Sequence, residues 1–282
     1  MAEPLGLSFE EGRAPSVPRD AATVLVLRER AGELEVYCVV RNPRSGFLGG
    51  ALVFPGGKVD EADRPPAFSR VAGSPHPRVH ELADSSERAT ALLVAAARET
   101  LEEAGLLAAE VGRDLASALT SEVREGRRFA EVLERAGVHV ELERLWPFAR
   151  WITPEAEARR FDARFFLLAA PSDQEPSADP HETTQGAFFR PSAALEAFAR
   201  GEVQLAPPTT RCLELLATVR RIDEALALAE RQSLLPICPR FVPGDPPALA
   251  LPGDPAHELA ELRVDGPTRF VLRDGRFVSE EG

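Results

Sequence analysis

A chain of 282 residues, 44% of them hydrophobic, can bury a sizeable core as one large domain or a domain with extensions. Its net charge of −12 argues against a nucleic-acid partner, because a phosphate backbone wants a basic surface, but a small phosphorylated ligand remains open if a bound cation attracts it. No run approaches the ~18 apolar residues of a membrane span, MAEPLGLSFEEGRAP lacks the order of a signal peptide and RFVSEEG carries no sorting signal, so no membrane partner and a cytoplasmic location are expected.

Residues 1–19, rich in Pro, Gly and charge, read as a loose N-terminal arm. The apolar runs 22–27 and 34–40, separated by polar 28–33, predict a hairpin. A short strand, 51–54, ends at Pro55-Gly56-Gly57. Residues 64–86, with their Pro, Ser and His, read as a mobile loop at the rim of a site. Residues 88–104 predict a helix with Gly105 as its cap, and 115–136 a second, charged helix. Strands follow at 161–169 and 186–189, and helices at 192–200 and 209–231. From 233 to 282 a proline-rich extension, with a hairpin signal at Asp274-Gly275, is expected to pack on a main domain spanning 20–232. Strands interleaved with helices predict a mixed α/β fold, and neither GxGxxG nor GxxxxGK[ST] is present.

Cys38, Cys212 and Cys238 stand far apart and form no CxxC pair, so each reads as a small buried hydrophobe. Lys58 is the one lysine of the chain, and it lies in the glycine-rich turn. His76 and His80 have HxxxH spacing but flank a proline in a loop without an HExxH pattern, which is weak evidence for metal. Asp162 reads as structural.

The segment with most chemical content is RETLEEAG, 98–105. Glu99, Glu102 and Glu103 recur at i, i+3 and i+4, which stacks them on one helical face. They repel one another and face the negative end of the helix dipole, each at a cost of a few tenths of a kcal/mol. A solvated acidic face and a divalent-cation site both fit this pattern; oxygen donors on one face suit Mg²⁺ or Mn²⁺. The preceding VFPGGKVDEAD, 53–63, is a strand running into glycines that let the backbone approach another group closely.

Together the two pieces resemble the Nudix box: a glycine, five residues, an acid, seven residues, then Arg-Glu, an aliphatic, any residue, Glu-Glu, any residue, Gly and an aliphatic. Gly57 supplies the glycine and Asp63 the acid, and Arg98, Glu99, Glu102, Glu103, Gly105 and Leu106 fill the second half in register. Thr100 replaces the usual aliphatic, and 34 residues, 64–97, stand where the pattern has seven. Such an insertion resembles the peroxisomal-type subgroup linked to coenzyme A diphosphate hydrolysis, as do RNPRSGFLGGALVFPGG, WITPEAEARRFDARFFL and the Pro-Pro pair at 207–208.

The resemblance implies an α-β-α sandwich with a mixed sheet. It implies Glu99, Glu102, Glu103 and the Gly56 carbonyl as metal ligands, with Arg98 and Asp63 orienting them from behind. The base that takes a proton from the attacking water would be Glu102, Glu103 or the loop acid Glu182. Arg41, Arg44 and Lys58 are the candidate phosphate cations, and Phe47 would stack on a base or pack in the core. The expected partner is a small nucleotide-derived molecule, coenzyme A or an acyl-CoA first, with NADH, ADP-ribose and dinucleoside polyphosphates as alternatives; a homodimer is left open. A nucleotide-binding regulator without catalysis is the competing class.

Overall fold

The computed structural model describes residues 9, 14–42, 48–65, 67–179 and 183–282, the side chains of Thr183 and Thr184 excepted. Strands β1 (Arg19–Arg30) and β2 (Glu33–Arg41) form the expected hairpin, longer than the apolar runs alone imply. They turn through Ala31-Gly32, both at positive φ (53° and 79°), the backbone hand a two-residue hairpin turn needs. β1 and β2 pair only at their turn-proximal ends, from Leu27↔Val36 to Arg30↔Glu33. Beyond that they diverge. β3 (Leu52–Val53) pairs with β2 and β4 (Gly56–Lys58) with β1, so the glycine-rich segment fills the wedge. The glycines expected in a turn thus form a strand. At Gly56 a β-carbon would stand 2.5 Å from the Ala22 carbonyl oxygen, so a side chain there would force β4 off β1.

β6 (Phe161–Ala169) matches the expected strand and lies parallel to β1, in register from Arg19↔Phe161 to Leu27↔Ala169. β5 (Trp146–Ile152) escapes a pattern reading because Pro147 interrupts it; the proline sits where the register with β6 shifts, at a bulge. β7 (Thr183–Phe189) pairs with β2. The result is a mixed seven-stranded sheet with central order β3-β2-β1-β6-β5.

Period two divides β1 between two cores. Ala22, Val24 and Val26 join Leu92, Leu93 and Phe166 under α1 (Ser86–Ala104), α2 (Arg113–Arg124) and α3 (Phe129–Ala136). Leu25 and Leu27 join Phe148, Leu213 and Phe270 under α4 (Pro191–Ala199), α5 (Pro207–Leu216), α6 (Ile222–Arg231) and the C-terminal strands. Helices on both faces make the α-β-α sandwich. Two long helices expected from composition are each broken in two: 115–136 at Gly126, whose φ is 86°, and 209–231 between Leu216 and Ile222.

The segment 64–86 differs from expectation. It sends Phe68, Val71, Val79 and Leu82 into the α1-side core and forms a 3₁₀ turn at Pro77–Glu81. Arg78 donates to the carbonyls of Ala229, Glu230 and Gln232, closing the C-terminal end of α6. None of its described residues lines the cavity of the site, because its apolar side chains are spent on the opposite core.

Residues 233–282 build a four-stranded antiparallel sheet, β11 (Arg276–Glu280), β10 (Arg269–Arg273), β9 (Ala248–Ala250) and β8 (Arg240–Val242). Asp274 and Gly275, at φ 48° and 75°, turn β10 into β11. Arg211 of α5, 1% exposed, donates to the Asp265 and Pro267 carbonyls and anchors this sheet. No helix among the described residues is long and apolar enough to cross a membrane.

Candidate active site

The site begins with the way α1 ends. Ser85 caps its start, accepting from the Arg88 amide at 3.2 Å, and Gly105 closes it in the left-handed region at φ 67°. The last carbonyls all find donors. Gly105 and Leu106 amides reach Leu101 and Thr100, Ser177 and Asp179 amides reach Ala104 and Glu103, and the Arg124 guanidinium of α2 reaches Glu102 at 2.7 Å. Arg124 therefore sets a positive charge at the helix end where the glutamates meet the negative pole. Thr100, the departure from an aliphatic, is fully buried and gives its hydroxyl to the Ala96 carbonyl at 2.7 Å.

Behind the carboxylates stands Arg98. Its five N–H groups all have acceptors: both Asp63 oxygens (2.8 and 2.9 Å), Glu99 (2.8 Å), Glu102 (3.0 Å) and the Lys58 carbonyl (3.1 Å). Burial disfavours the charged guanidinium, but the Asp63 hydrogen bonds and the charges of Glu99, Asp63 and Glu102 outweigh it and hold Arg98 more firmly protonated than usual. Asp63 is 1% exposed and also accepts from the Asp60 amide at 2.8 Å, so the shorter acid reaches its partner because a 3₁₀ turn carries it inward. Glu103, 3% exposed, accepts from the Gly56 amide at 2.9 Å, and a β-carbon on Gly57 would fall onto the Glu99 carboxylate. The glycine strand and the helix end are thus locked to each other by the residues that carry charge.

These groups open onto one cavity of about 500 Å³. Of the residues expected from sequence, Gly56, Lys58, Arg98, Glu99, Glu102, Glu103 and Arg41 line it. Asp63 lies behind Arg98 and does not. Arg44, Phe47 and Glu182 lie outside the described residues. Lys58 pairs with Asp60 at 2.9 Å at the mouth.

Sequence reading passed over several lining residues. Glu157, 3% exposed, exposed Arg159 and buried Trp151 come from the β5–β6 hairpin, and Phe9, Pro239 and Leu249 come from the two ends of the chain. His76 is excluded from the site: its Nδ1 accepts from the Arg78 amide and its ring packs on Trp146, centroids 4.6 Å apart. Asp162 is bound by Arg150 and Arg164, away from the cavity. The cysteines are free thiols; burial pushes Cys38 and Cys212 far up, so neither supplies a thiolate.

The donor set fits a hard divalent cation: three carboxylates on successive turns of one helix beside a glycine backbone, with no sulfur or imidazole among them. The carboxylates are not drawn together around a point. Glu99 and Glu102 turn to Arg98 and Glu103 to the Gly56 amide, and no group of three acidic, His or Cys side chains among the described residues is arranged to hold an ion.

Comparison with known proteins places this geometry. A family model for the NUDT19 Nudix domain matches residues 77–216. The chain is 26% identical over 259 residues to a Xenopus laevis protein named acyl-coenzyme A diphosphatase NUDT19, covering 77% of this chain and 68% of that one. It is 27% identical over 292 residues to the Homo sapiens protein of the same name, covering 84% and 77%. A solved Nudix hydrolase from Alicyclobacillus acidocaldarius superposes with a TM-score of 0.66 at 29% identity, over 76% of this chain and 97% of that one. With the box residues converging on one cavity and these relatives around it, the findings support a Nudix diphosphatase whose residues 77–216 are similar to the NUDT19 Nudix domain.

Proposed function

We propose that this Nudix diphosphatase hydrolyses the diphosphate of coenzyme A or an acyl-CoA, the substrate class in the names of its curated relatives, with Mg²⁺ or Mn²⁺ as its metal. The observation that carries the proposal is the single cavity in which the Glu99, Glu102 and Glu103 face, the glycine strand and a long apolar wall meet. The family depends on divalent metal, and Glu99, Glu102, Glu103 and the Gly56 carbonyl are the groups that would hold it here. A cation held by these residues would supply charge neutralisation for the diphosphate and acidity for the attacking water.

The chain's own residues do the rest. Arg98 and Asp63 fix the directions of Glu99 and Glu102. Glu102 or Glu103 accepts the proton of the attacking water, with Glu182 the remaining candidate for that role. Water oxygen bonds to one phosphorus, and the bridging oxygen leaves the same phosphorus with the bonding electron pair. The products are 3′,5′-ADP and a 4′-phosphopantetheine part. Lys58, Arg41 and Arg159 line the cavity as cations for the phosphates. In this reading residues 20–232 are the catalytic unit and 233–282 an extension that completes its cavity.

The test is a substrate panel of CoA, acyl-CoAs, NADH, ADP-ribose and dinucleoside polyphosphates, each with Mg²⁺, Mn²⁺ or chelator. The expected result is metal-dependent release of 3′,5′-ADP with CoA substrates cleaved best. Preference for NADH or ADP-ribose would overturn the substrate assignment, and metal-dependent binding of a nucleotide without product would overturn catalysis.

A further inference from the structure

The end of α1 is held from outside the cavity, by the connection that leads from β6 to β7. Residues 174–179 of this connection cross the helix terminus. The amides of Ser177 and Asp179 donate to the carbonyls of Ala104 and Glu103 at 2.7 and 3.3 Å. Arg124 adds a third bond, to the Glu102 carbonyl, and the same guanidinium reaches the Ser177 carbonyl at 2.6 Å and its hydroxyl at 3.4 Å. Two of the three carbonyls gripped in this way belong to Glu102 and Glu103, whose side chains carry the acidic face. Gly105 is fitted to the same contact. A left-handed cap tolerates Asn as well as Gly, but a β-carbon on Gly105 would fall on the Ser177 hydroxyl.

The connection is itself pinned on two sides. Gln174, buried, accepts from the Leu107 amide at 2.8 Å and donates to the Leu107 and Ala109 carbonyls at 3.1 and 3.0 Å, which ties it to the turn leaving α1. Ala178 and the Tyr37 hydroxyl close over Gly186 of β7 and leave no space for a side chain there. Neither Gln174, Ser177, Ala178 nor Arg124 lines the cavity. The backbone under the glutamates is therefore set by residues that stand outside the site.

A last helical turn frays when its carbonyls lack partners, and a carboxylate on a fraying turn has to be ordered before it can hold an ion. We propose that residues 174–179 are a positioning clamp for the metal face, with Gln174 as its anchor, and that the clamp sets how tightly a divalent cation is held. The proposal rests on the reading of Glu99, Glu102 and Glu103 as ligands. It adds to that reading a set of residues, distant from Arg98 and Asp63, that act on the backbone of the ligands and not on their carboxylates.

Gln174→Met keeps the length of the side chain and removes all three hydrogen bonds. Mn²⁺ binding without substrate, read from the electron paramagnetic resonance signal of the free ion, should weaken about tenfold, the lower end for outer partners of metal ligands. The half-saturating Mg²⁺ concentration in turnover should rise by the same factor, with kcat at saturating Mg²⁺ within about twofold of the wild type, because the carboxylates remain. Gln174→Glu keeps the bond from the Leu107 amide and should fall between the two. Arg78→Ala is the control: it uncaps α6 outside the cavity and should lower the thermal midpoint with Mn²⁺ affinity unaltered. Wild-type Mn²⁺ affinity in Gln174→Met would overturn the clamp. So would an equal weakening in Arg78→Ala, which would mark a general loss of stability. Amide hydrogen exchange of the metal-free protein tests the mechanics without any ion. Protection at 102–106 should fall in Gln174→Met while β6 keeps its wild-type protection, and unchanged protection at 102–106 would overturn the proposal. A wild type that binds no Mn²⁺ removes the metal reading and the clamp's function with it. Mn²⁺ binding without hydrolysis of any substrate sinks the diphosphatase reading alone, and the affinities still decide the clamp.

Discussion

Two buried guanidiniums stand among carboxylates in this protein, and their surroundings have opposite charge. Arg164, fully buried, shares Asp20 and Asp162 with Arg88 and Arg150, so three guanidiniums face two carboxylates, and a third, the exposed Asp84, touches Arg88 alone. Arg98 alone faces Asp63, Glu99 and Glu102, with Glu103 beside them. The consequence shows in the protons. Burial dominates at Arg164 and pulls its pKa down despite Asp162 and Asp20; at Arg98 the same burial is overcome and the pKa rises. The first cluster ties β1, β5, β6 and the start of α1 together. The second is an anionic cluster held in shape by one cation, and it has the donors for another. Like networks of buried charge therefore do different work: one fixes the sheet, the other prepares a face for a ligand cation.

The comparison can be broken most sharply at Glu103. Glu103→Gln should lower turnover by about 10²–10⁴-fold, the range for removing a positioned acid or base, with an unchanged circular dichroism spectrum. Near-normal turnover would place the chemistry elsewhere. The corresponding change in the other cluster, Asp162→Asn, should act on folding instead. It leaves Arg164 buried with Asp20 as its remaining carboxylate and should cost about 1–3 kcal/mol in denaturant unfolding. A loss under 1 kcal/mol would deny that cluster its structural role.

Between these extremes lies Arg124. Arg124→Ala uncovers the Glu102 carbonyl and should cost about 1–3 kcal/mol; it should also weaken metal activation, read as a higher half-saturating Mg²⁺ concentration. Stability loss with unaltered metal dependence would make Arg124 a helix cap and nothing more. Acid titration separates the clusters further. At Asp20 burial pushes the carboxyl upward, but hydrogen bonds and charge from Arg88 and Arg164 bring it below its ordinary 3.8. A depressed acid contributes stability above its unfolded value, and that contribution is lost as pH falls from near 4 through its lower folded value. Asp20→Asn should remove this part of the acid limb. The smallest effect is expected at Glu102: without metal, Glu102→Gln removes attraction to Arg98 together with repulsion from Glu99 and Glu103, and should change stability by no more than ~0.5 kcal/mol in either direction.

Helix α1 was readable in the sequence because its determinants are local: Ser85 and Gly105 cap it, and the glutamates are three and four residues apart. β6 was readable for the same reason. What could not be read depends on distance along the chain. Asp63 and Arg98 are 35 residues apart, and only the fold shows both Asp63 oxygens on one guanidinium. Trp151 joins the cavity through the register of β5 on β6, a strand that Pro147 disguises. The segment 64–86 looked like a loop because its apolar residues, Phe68, Val71, Val79 and Leu82, follow no strand or helix period, yet each is buried. Phe9 and Leu249 reach the cavity from opposite ends of the chain, a meeting no local pattern encodes.

The central claim is that the carboxylate face of α1 binds a divalent cation in the folded protein. The most direct measurement is the thermal midpoint against Mg²⁺ or Mn²⁺ concentration for the wild type, Glu99→Gln/Glu103→Gln and Asp162→Asn. A ligand bound by the native state alone raises the midpoint with concentration, by about 2.7 kcal/mol of stability at a hundred times Kd. The wild type and Asp162→Asn should climb in parallel, from different starting points, and the double glutamine variant should stay level. A level wild-type curve, or a double variant that climbs with it, would contradict the claim.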